Sequence, residues 1–439
     1  MAKGEVNKIL LPRQFTDYLS EAAGPVNAPV IVDAILNTPP VTSIRLNPKK
    51  RAAPNVECVD NTAILQNNII PWCSNGYYLH ERPNFTHDPV LHAGGYYVQE
   101  PSSMIIEQLA PLLNNTTKPI TNILDLCAAP GGKSTHLISI APANSSITAN
   151  EVIRSRVAPL KENILKWGNH SVNVTNKDPR QITDMMDRQG SLFDFILVDA
   201  PCSGEGMFRK DPTAIKEWSV ENVAISAARQ KRIVADIWPA LSPGGYLAYS
   251  TCTFNIYEND LNIEWIKEQL GAVSIPLNLP DMEQWGVVKA PCGGYRFFPG
   301  LVKGEGLFFT LLQKNGTFTP TPKPQFNHSK SSHSNPNNPS FHSNSGKPHT
   351  TRPHSHTPAI SNFIPEEPLS TNFLHNYPLI PLTHRQAIEY LANHSIKLPD
   401  ETPLGLVVVT YGGLPLGYAK NIGTRANNLY PKNWRIRNL

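Results

Sequence analysis

The chain has 439 residues, with 40% hydrophobic side chains, 41 prolines and 27 glycines, which excludes a wholly disordered or fibrous protein and leaves room for several folded units. Its net charge of +4 averages two unlike parts: 27 basic against 30 acidic residues through position 313, then 12 against 5 from 314 onward. The six cysteines stand singly without a CxxC pair, and no apolar run approaches a membrane span or a signal peptide, so a cytoplasmic protein with no membrane contact and no metal is expected.

Residues 1–85 carry Pro25, Pro29, Pro39 and Pro40, which break any long helical pattern and predict short helices only. SIRLNPKKR (43–51) follows as a strand with a basic end. From 86 to 313 the pattern alternates. The runs ITNILDLC (120–127), SSITANE (145–151), VNVTN (172–176), FDFILVDAP (193–201) and GYLAYSTC (245–252) read as strands. Val157, Leu160, Ile164 and Trp167 stand between them at helical spacing. Such alternation predicts an α/β fold with a parallel sheet that binds ligands at the carboxyl edge of its strands.

Residues 314–368 hold 10 prolines, nine serines and six histidines and predict a disordered linker. The histidines are irregularly spaced, with no cysteine or acid among them, so solvated filler is preferred to a metal site. In 369–439, LGLVVVTYGG (404–413) and PLGYAKNIG (415–423) predict two strands joined at Gly-Gly in a small β-rich domain.

CAAPGGKST (127–135) lies between a strand and a helix, where backbone amides cradle an anionic or polar group. It fails the GxxxxGK(S/T) phosphate loop because position 127 is Cys, and no GxGxxG dinucleotide fingerprint is present. The next strand ends in Glu151, placed for ribose hydroxyls, and the third is followed by Asp178, placed for an adenine edge. Singly, these are ordinary strand-end carboxylates; together with the loop they describe a pocket for S-adenosylmethionine. Cys202, in DAPCSGEGMFRKDP, and Cys252, in YSTCTFNIYEND, fall at two further strand ends. A thiolate beside a methyl donor suits methylation of a pyrimidine at carbon 5, because addition to carbon 6 makes carbon 5 nucleophilic.

The segments DLCAAPGGKSTHL, VDAPCSGEGMFRKDP and YSTCTFNIYEND resemble the motifs of the Sun/Nop family of RNA cytosine-5 methyltransferases, in its bacterial RsmF-like branch. GGYYVQEPSSM (94–104), YRFFPGLVKGEGLFF (295–309) and LGYAKNIGTRANNLYPKNWRIR near the C-terminus support the resemblance, although Pro101 stands where the family often has Ala. The resemblance implies a Rossmann-like class I methyltransferase sheet in 86–313, a small N-terminal RNA-binding α/β domain in 1–85 and a PUA-like RNA-binding module in 369–439. It implies Cys252 as nucleophile and Cys202 as the residue that helps release the product. The donor would be held by Cys127, Ala128, Ala129, Pro130, Gly131, Gly132 and Lys133, with Glu151, Asp178 and Asp199. Lys133 either meets the donor or pairs with a neighbouring carboxylate.

For RNA contact, the loop after Cys202 offers Arg209 and Lys210 with Phe208 for stacking. The tail offers Lys420, Arg425, Lys432 and Arg435 among Tyr430 and Trp434. The expected substrate is small-subunit ribosomal RNA, with transfer RNA as the alternative, and the expected state is a monomer. Two further readings remain open. A dead RNA-binding assembly factor has no need of both cysteines, and an amino-methyltransferase would carry (D/N)PP(Y/F) where this chain has Asp199-Ala-Pro-Cys202.

Overall fold

The computed structural model describes residues 10–53, 68–115, 119–168, 172–316 and 377–437. Apart from its first three residues, the expected linker 314–368 lies outside the described residues.

The N-terminal helix α1 (Arg13–Asn37) is two short helices in sequence, broken at Gly24, whose φ of 78° starts a new axis at Pro25. A four-stranded antiparallel sheet follows, in the order β2 (Ile69–Ile70), β3 (Cys73–Leu79), β1 (Thr42–Leu46) and β4 (Tyr96–Val98). Its edge strand β4 pairs Tyr97 with Arg45, so this unit extends beyond the boundary expected at residue 85. Chain composition does not change there; the strand pairing, not the composition, defines the unit.

The central sheet has nine strands: β5 (Asn122–Asp125), β6 (Ser146–Asn150), β7 (Val172–Thr175), β8 (Phe193–Asp199), β9 (Leu241–Thr251), β10 (Ala272–Ser274), β11 (Val288–Lys289), β12 (Tyr295–Phe297) and β13 (Leu307–Lys314). Their order is β11-β12-β13-β9-β8-β5-β6-β7, with β10 added on β13. Strands β5 to β9 are parallel and β13 runs antiparallel against β9. Every residue of β5 is buried, as are the first six of β8, which is why these strands read as continuous apolar runs. Helices α2 (Gly132–Ile140), α3 (Arg154–Trp167), α4 (Pro179–Gln189), α5 (Val220–Ile237) and α6 (Asp260–Leu270) accompany the strands. Two apolar clusters, one containing Ile123, Leu137 and Phe195 and the other Ile196, Val234 and Tyr249, form the main core. Because the chain runs outward from β5 to β7 and then returns to β8, the strand order reverses beside β5. The loops after β5, β6, β8 and β9 open around that point.

The C-terminal module has strands β14 (Leu379–Pro381), β15 (Gly405–Tyr411), β16 (Leu414–Asn421) and β17 (Ala426–Asn428), with helix α7 (His384–Leu391) capped by Thr383. Gly412 and Gly413 turn β15 into β16 as the sequence predicts. The module is docked, not separate: Ile44, Phe85 and Tyr96 of the N-terminal unit share one core cluster with Tyr390, Leu414 and Trp434. Ala53 N–H donates to the Gly412 carbonyl at 2.9 Å. Among the described residues no helix is long and apolar enough to cross a membrane.

Candidate active site

At the end of β5 the chain buries Asp125 completely, and burial pushes its carboxyl pKa up to about 7. Ser134 Oγ, from the first turn of α2, donates to Asp125 Oδ2 at 2.6 Å and ties the strand end to the helix. Between them, Cys127 to Lys133 make the turn, and Gly131 at φ 116° admits the chain into α2. The turn is held from below. Arg156 donates to the Ala129 carbonyl at 2.6 Å, Asn163 to the Pro130 carbonyl at 2.8 Å, and Ala128 N–H to the Asn150 carbonyl at 2.8 Å. Burial, reinforced by Asp125, pushes the Cys127 thiol far above its ordinary value.

Lys133 has found a carboxylate: its Nζ lies 2.7 Å from Asp199 Oδ2 at the end of β8. Burial alone would lower the lysine pKa, but Asp199 outweighs it and holds the ammonium above its ordinary value. The other Asp199 oxygen accepts from Ser250 Oγ at 2.7 Å. Glu151 follows β6 as expected and is buried; Oε1 accepts from Ile153 N–H at 2.8 Å and Oε2 faces Arg156 at 3.5 Å. Asp178 caps the N-terminus of α4 in a capping box, with Oδ1 accepting from Arg180 N–H at 3.1 Å. That capping role has no counterpart in the sequence reading.

The loops after β8 and β9 bring Cys202 and Cys252 together, with their sulfurs 3.2 Å apart. The hydrogen bond to Cys252, then burial, pushes the Cys202 thiol well above its ordinary pKa. Two buried carboxylates fasten these loops. Glu205 accepts from Phe254 N–H (2.5 Å), Asn255 Nδ2 (2.9 Å) and Trp218 Nε1 (3.0 Å). Glu258 accepts from Ser203 N–H (3.0 Å), Gln230 Nε2 (2.7 Å) and Asn255 Nδ2 (2.9 Å). Gly206 N–H donates to the Cys252 carbonyl at 2.8 Å, and a Cβ at Gly206 would stand only 3.0 Å from that oxygen. Each cysteine loop therefore holds the other through backbone groups. Glu205, Asn255 and Glu258 lie inside the two cysteine motifs, but their polarity gave no sign that they are buried clamps.

Arg45 is a further residue that sequence reasoning missed. It is buried beneath the donor turn, donating to Thr135 Oγ1 at 2.6 Å and to Gln99 Oε1 at 2.8 Å while lying over the Trp167 ring. The N-terminal sheet thereby supports the first turn of α2.

The RNA-facing candidates divide. Lys210, Lys420, Arg425, Lys432 and Arg435 are exposed. Arg209 is corrected: its side chain is only 6% exposed and binds Glu305 Oε2 at 2.8 Å, Thr38 Oγ1 at 2.8 Å and the Gly304 carbonyl. It is an internal tie between segments distant in sequence. Phe208 is buried against Phe15 with ring centroids 5.0 Å apart, and Tyr430 and Trp434 are buried as well, so none offers an open stacking face.

Three stretches match known families. Residues 11–101 match the N-terminal domain of 16S rRNA methyltransferase RsmF, 110–313 match 16S rRNA methyltransferase RsmB/F, and 377–436 match the methyltransferase RsmF PUA domain. Ribosomal RNA small subunit methyltransferase F of Cronobacter sakazakii is 32% identical over 328 residues, covering 73% of this chain and 67% of the relative. The protein of that name from Escherichia coli is 38% identical over 264 residues, covering 58% and 53%. The chain thus spans between half and two thirds of these relatives' length. Among solved structures, a methyltransferase homolog protein from Pyrococcus horikoshii is similar at a TM-score of 0.55 and 25% identity, covering 69% of this chain and 95% of that one. NSun6 from the same organism has a TM-score of 0.55 at 19% identity, covering 70% and 99%, and shares the fold. With its N-terminal, catalytic and PUA segments matched in order, the chain belongs to the RsmB/F family of 16S rRNA methyltransferases, in the RsmF-like branch.

Proposed function

We propose that this chain is an S-adenosylmethionine-dependent methyltransferase that forms 5-methylcytosine in small-subunit ribosomal RNA. The observation that carries the reading is the pair of sulfurs 3.2 Å apart beside the Lys133–Asp199 pair and the glycine turn. The donor set suits the ligand. A backbone turn with a left-handed glycine opens at the N-terminus of α2, the carboxylate of Glu151 follows the next strand, and Asp125 Oδ1 is buried without a hydrogen-bond partner among the described residues. Cys127 to Lys133 would hold the methionine end, Glu151 the ribose and Asp178 the adenine side. S-adenosylmethionine, when bound, supplies an electrophilic methyl group.

The rest is the work of the chain's own side chains. The Cys252 sulfur adds to carbon 6 of a cytosine freed from its stack, and carbon 5 gains the electron density it needs to be alkylated. The carbon-5 proton then passes to solvent water or hydroxide, its C–H electron pair re-forms the carbon 5–carbon 6 double bond, and the carbon 6–sulfur bond breaks to return the Cys252 thiolate. Cys202, with its sulfur 3.2 Å from that of Cys252, assists that release. Asp199, fixed by Lys133 and Ser250, orients the base or the donor. The relatives' names favour ribosomal over transfer RNA as substrate.

Cys252→Ala is expected to abolish methyl transfer. Cys202→Ala is expected to accumulate a protein–RNA adduct that survives denaturing electrophoresis and disappears when Cys252 is also replaced. Bisulfite sequencing of cellular RNA with and without the gene identifies the modified cytosine. Full methylation by the Cys252 variant would overturn the nucleophile assignment.

A further inference from the structure

We propose that the cleft between helix α3 and the C-terminal module binds one unpaired nucleotide of the RNA substrate, an inference that rests on the RNA reading above. The cleft has a volume of about 640 Å³, in the size range of small-ligand sites. Lys161 and Leu165 of α3 form one wall, and Leu429, Pro431, Lys432 and Trp434 form the other. Neither module makes the site alone.

Its chemistry is that of a nucleotide. Leu165, Leu429 and Pro431 give the cleft an apolar lining, which suits the face of a base. Two exposed ammonium groups, Lys161 and Lys432, have no acidic partner among the described residues and stand ready for a phosphate. The one acid in the lining, Glu162, is already neutralised by Lys166 at 2.5 Å. The paired Lys166 also lies 5.4 Å from the Trp434 ring centroid, which ties helix α3 to the module at the back of the cleft. The Tyr430 hydroxyl, from a residue 3% exposed that lines the cleft, has no hydrogen-bond partner among the described residues. A buried hydroxyl in that state is costly and gains a partner when a base or ribose enters. On the module's side of the cleft the one charged lining residue among the described residues is Lys432.

The cleft also has a line to the chemistry. Helix α3 lines it with Lys161 and Leu165, while Arg156 and Asn163 of the same helix hold the Ala129 and Pro130 carbonyls of the glycine turn. A nucleotide seated there would be registered against the donor loop by one rigid element.

The test uses the full chain and a fluorescein-labelled single-stranded RNA ten-mer, followed by anisotropy at low and moderate salt. Lys161→Glu and Lys432→Glu are each expected to weaken binding by roughly five- to tenfold. Each is also expected to flatten the salt dependence by about 0.7 of a logarithmic unit per decade for every phosphate that the variant no longer neutralises. Lys289→Glu, an exposed change on β11, is expected to alter binding less than about twofold. RNA carrying 4-thiouridine is expected to photo-crosslink to peptides covering 158–165 or 428–434. RNA binding that is intact in both cleft variants, with crosslinks only elsewhere, overturns the proposal while leaving the RNA reading standing. An acidic peptide that binds the cleft without being displaced by RNA also overturns it. A wild-type chain that binds no RNA overturns both.

Discussion

Glu205→Ala probes the clamp that holds the two cysteine loops together. The Glu205 carboxylate is 1% exposed and satisfies Phe254 N–H, Asn255 N–H, Asn255 Nδ2 and Trp218 Nε1. Truncation strands two backbone donors and an indole, whereas Asn255 Nδ2 retains acceptors on Thr253 and Glu258 at 2.9 Å. At about 1–3 kcal/mol for each buried donor so stranded, the gross loss is about 3–9 kcal/mol. Removing a desolvated charge returns part of this, so a net loss of about 3–5 kcal/mol is expected, a large share of a typical domain's stability. Glu205→Gln keeps one acceptor oxygen and should lose about half as much. Urea unfolding gives the stability, and methyl incorporation by the folded fraction gives the activity. Phe254 lies two residues beyond Cys252, so kcat should fall while the KM for the methyl donor stays unchanged. A loss below about 1 kcal/mol, with kcat intact, would refute the claim that this carboxylate sets the cysteine geometry.

Other perturbations test other levels of the structure. Asp125 has its pKa raised from 3.8 to about 7, so between those values the native state holds a proton that the unfolded chain has lost. Stability is therefore present at low pH, falls as pH rises through this window and levels off above about 7. Asp125→Asn should remove that slope, which is worth at most about 4 kcal/mol, and urea midpoints at about pH 5 and pH 8 measure it. Gly94→Ala places a Cβ 1.7 Å from the Lys166 carbonyl at a φ of 75°, so the β4–α3 contact must open; a loss of about 3 kcal/mol or more in thermal unfolding is expected. Paired Lys420→Glu and Arg425→Glu changes should weaken RNA binding and lower its salt slope without moving the melting temperature. Charge reversal is the appropriate test, because truncating the module would uncover Ile44 and Tyr96 in the shared core.

Strands, donor turn and cysteine pair were legible because their signals are local. A buried parallel strand is a continuous apolar run, and its carboxyl end is marked by the small and acidic residues that follow. What was not legible depended on partners far away in the chain. Arg209 sits in a polar, glycine-rich loop and looks like a surface cation, yet its partner Glu305 comes 96 residues later. Nothing in the two cysteine motifs marks Glu205 and Glu258 as buried, because sequence does not reveal burial, and the donors to Glu205 from the second cysteine loop lie 49 and 50 positions away. The unit boundary slipped for the same reason: β4 belongs with β1, a pairing between positions as far apart as Arg45 and Tyr97 that composition does not mark. Trp434 and Tyr430 were read as stacking groups because aromatics among cations are ambiguous. In the folded chain they pack on each other with centroids 6.0 Å apart.

The N-terminal unit is better understood as part of the catalytic scaffold than as an appended arm. Phe15 of α1 packs against Phe208, Trp218 and Phe254 with centroids 5.0, 5.7 and 6.5 Å apart, and these rings belong to the segments that follow Cys202 and Cys252. Thr38 and the Val41 amide complete the Arg209–Glu305 pair, which ties the same loop to the segment before β13. Arg45 reaches the first turn of α2 from the other side. The glycine turn and the two cysteine loops thus both rest on side chains supplied by the N-terminal unit. Two sulfurs at 3.2 Å need such support, because the loop after Cys202, with Gly204 and Gly206, has little rigidity of its own. Arg45, the buried arginine of this unit, and the Arg209–Glu305 pair spend their charge on holding segments together, whereas the cations of the C-terminal tail are exposed.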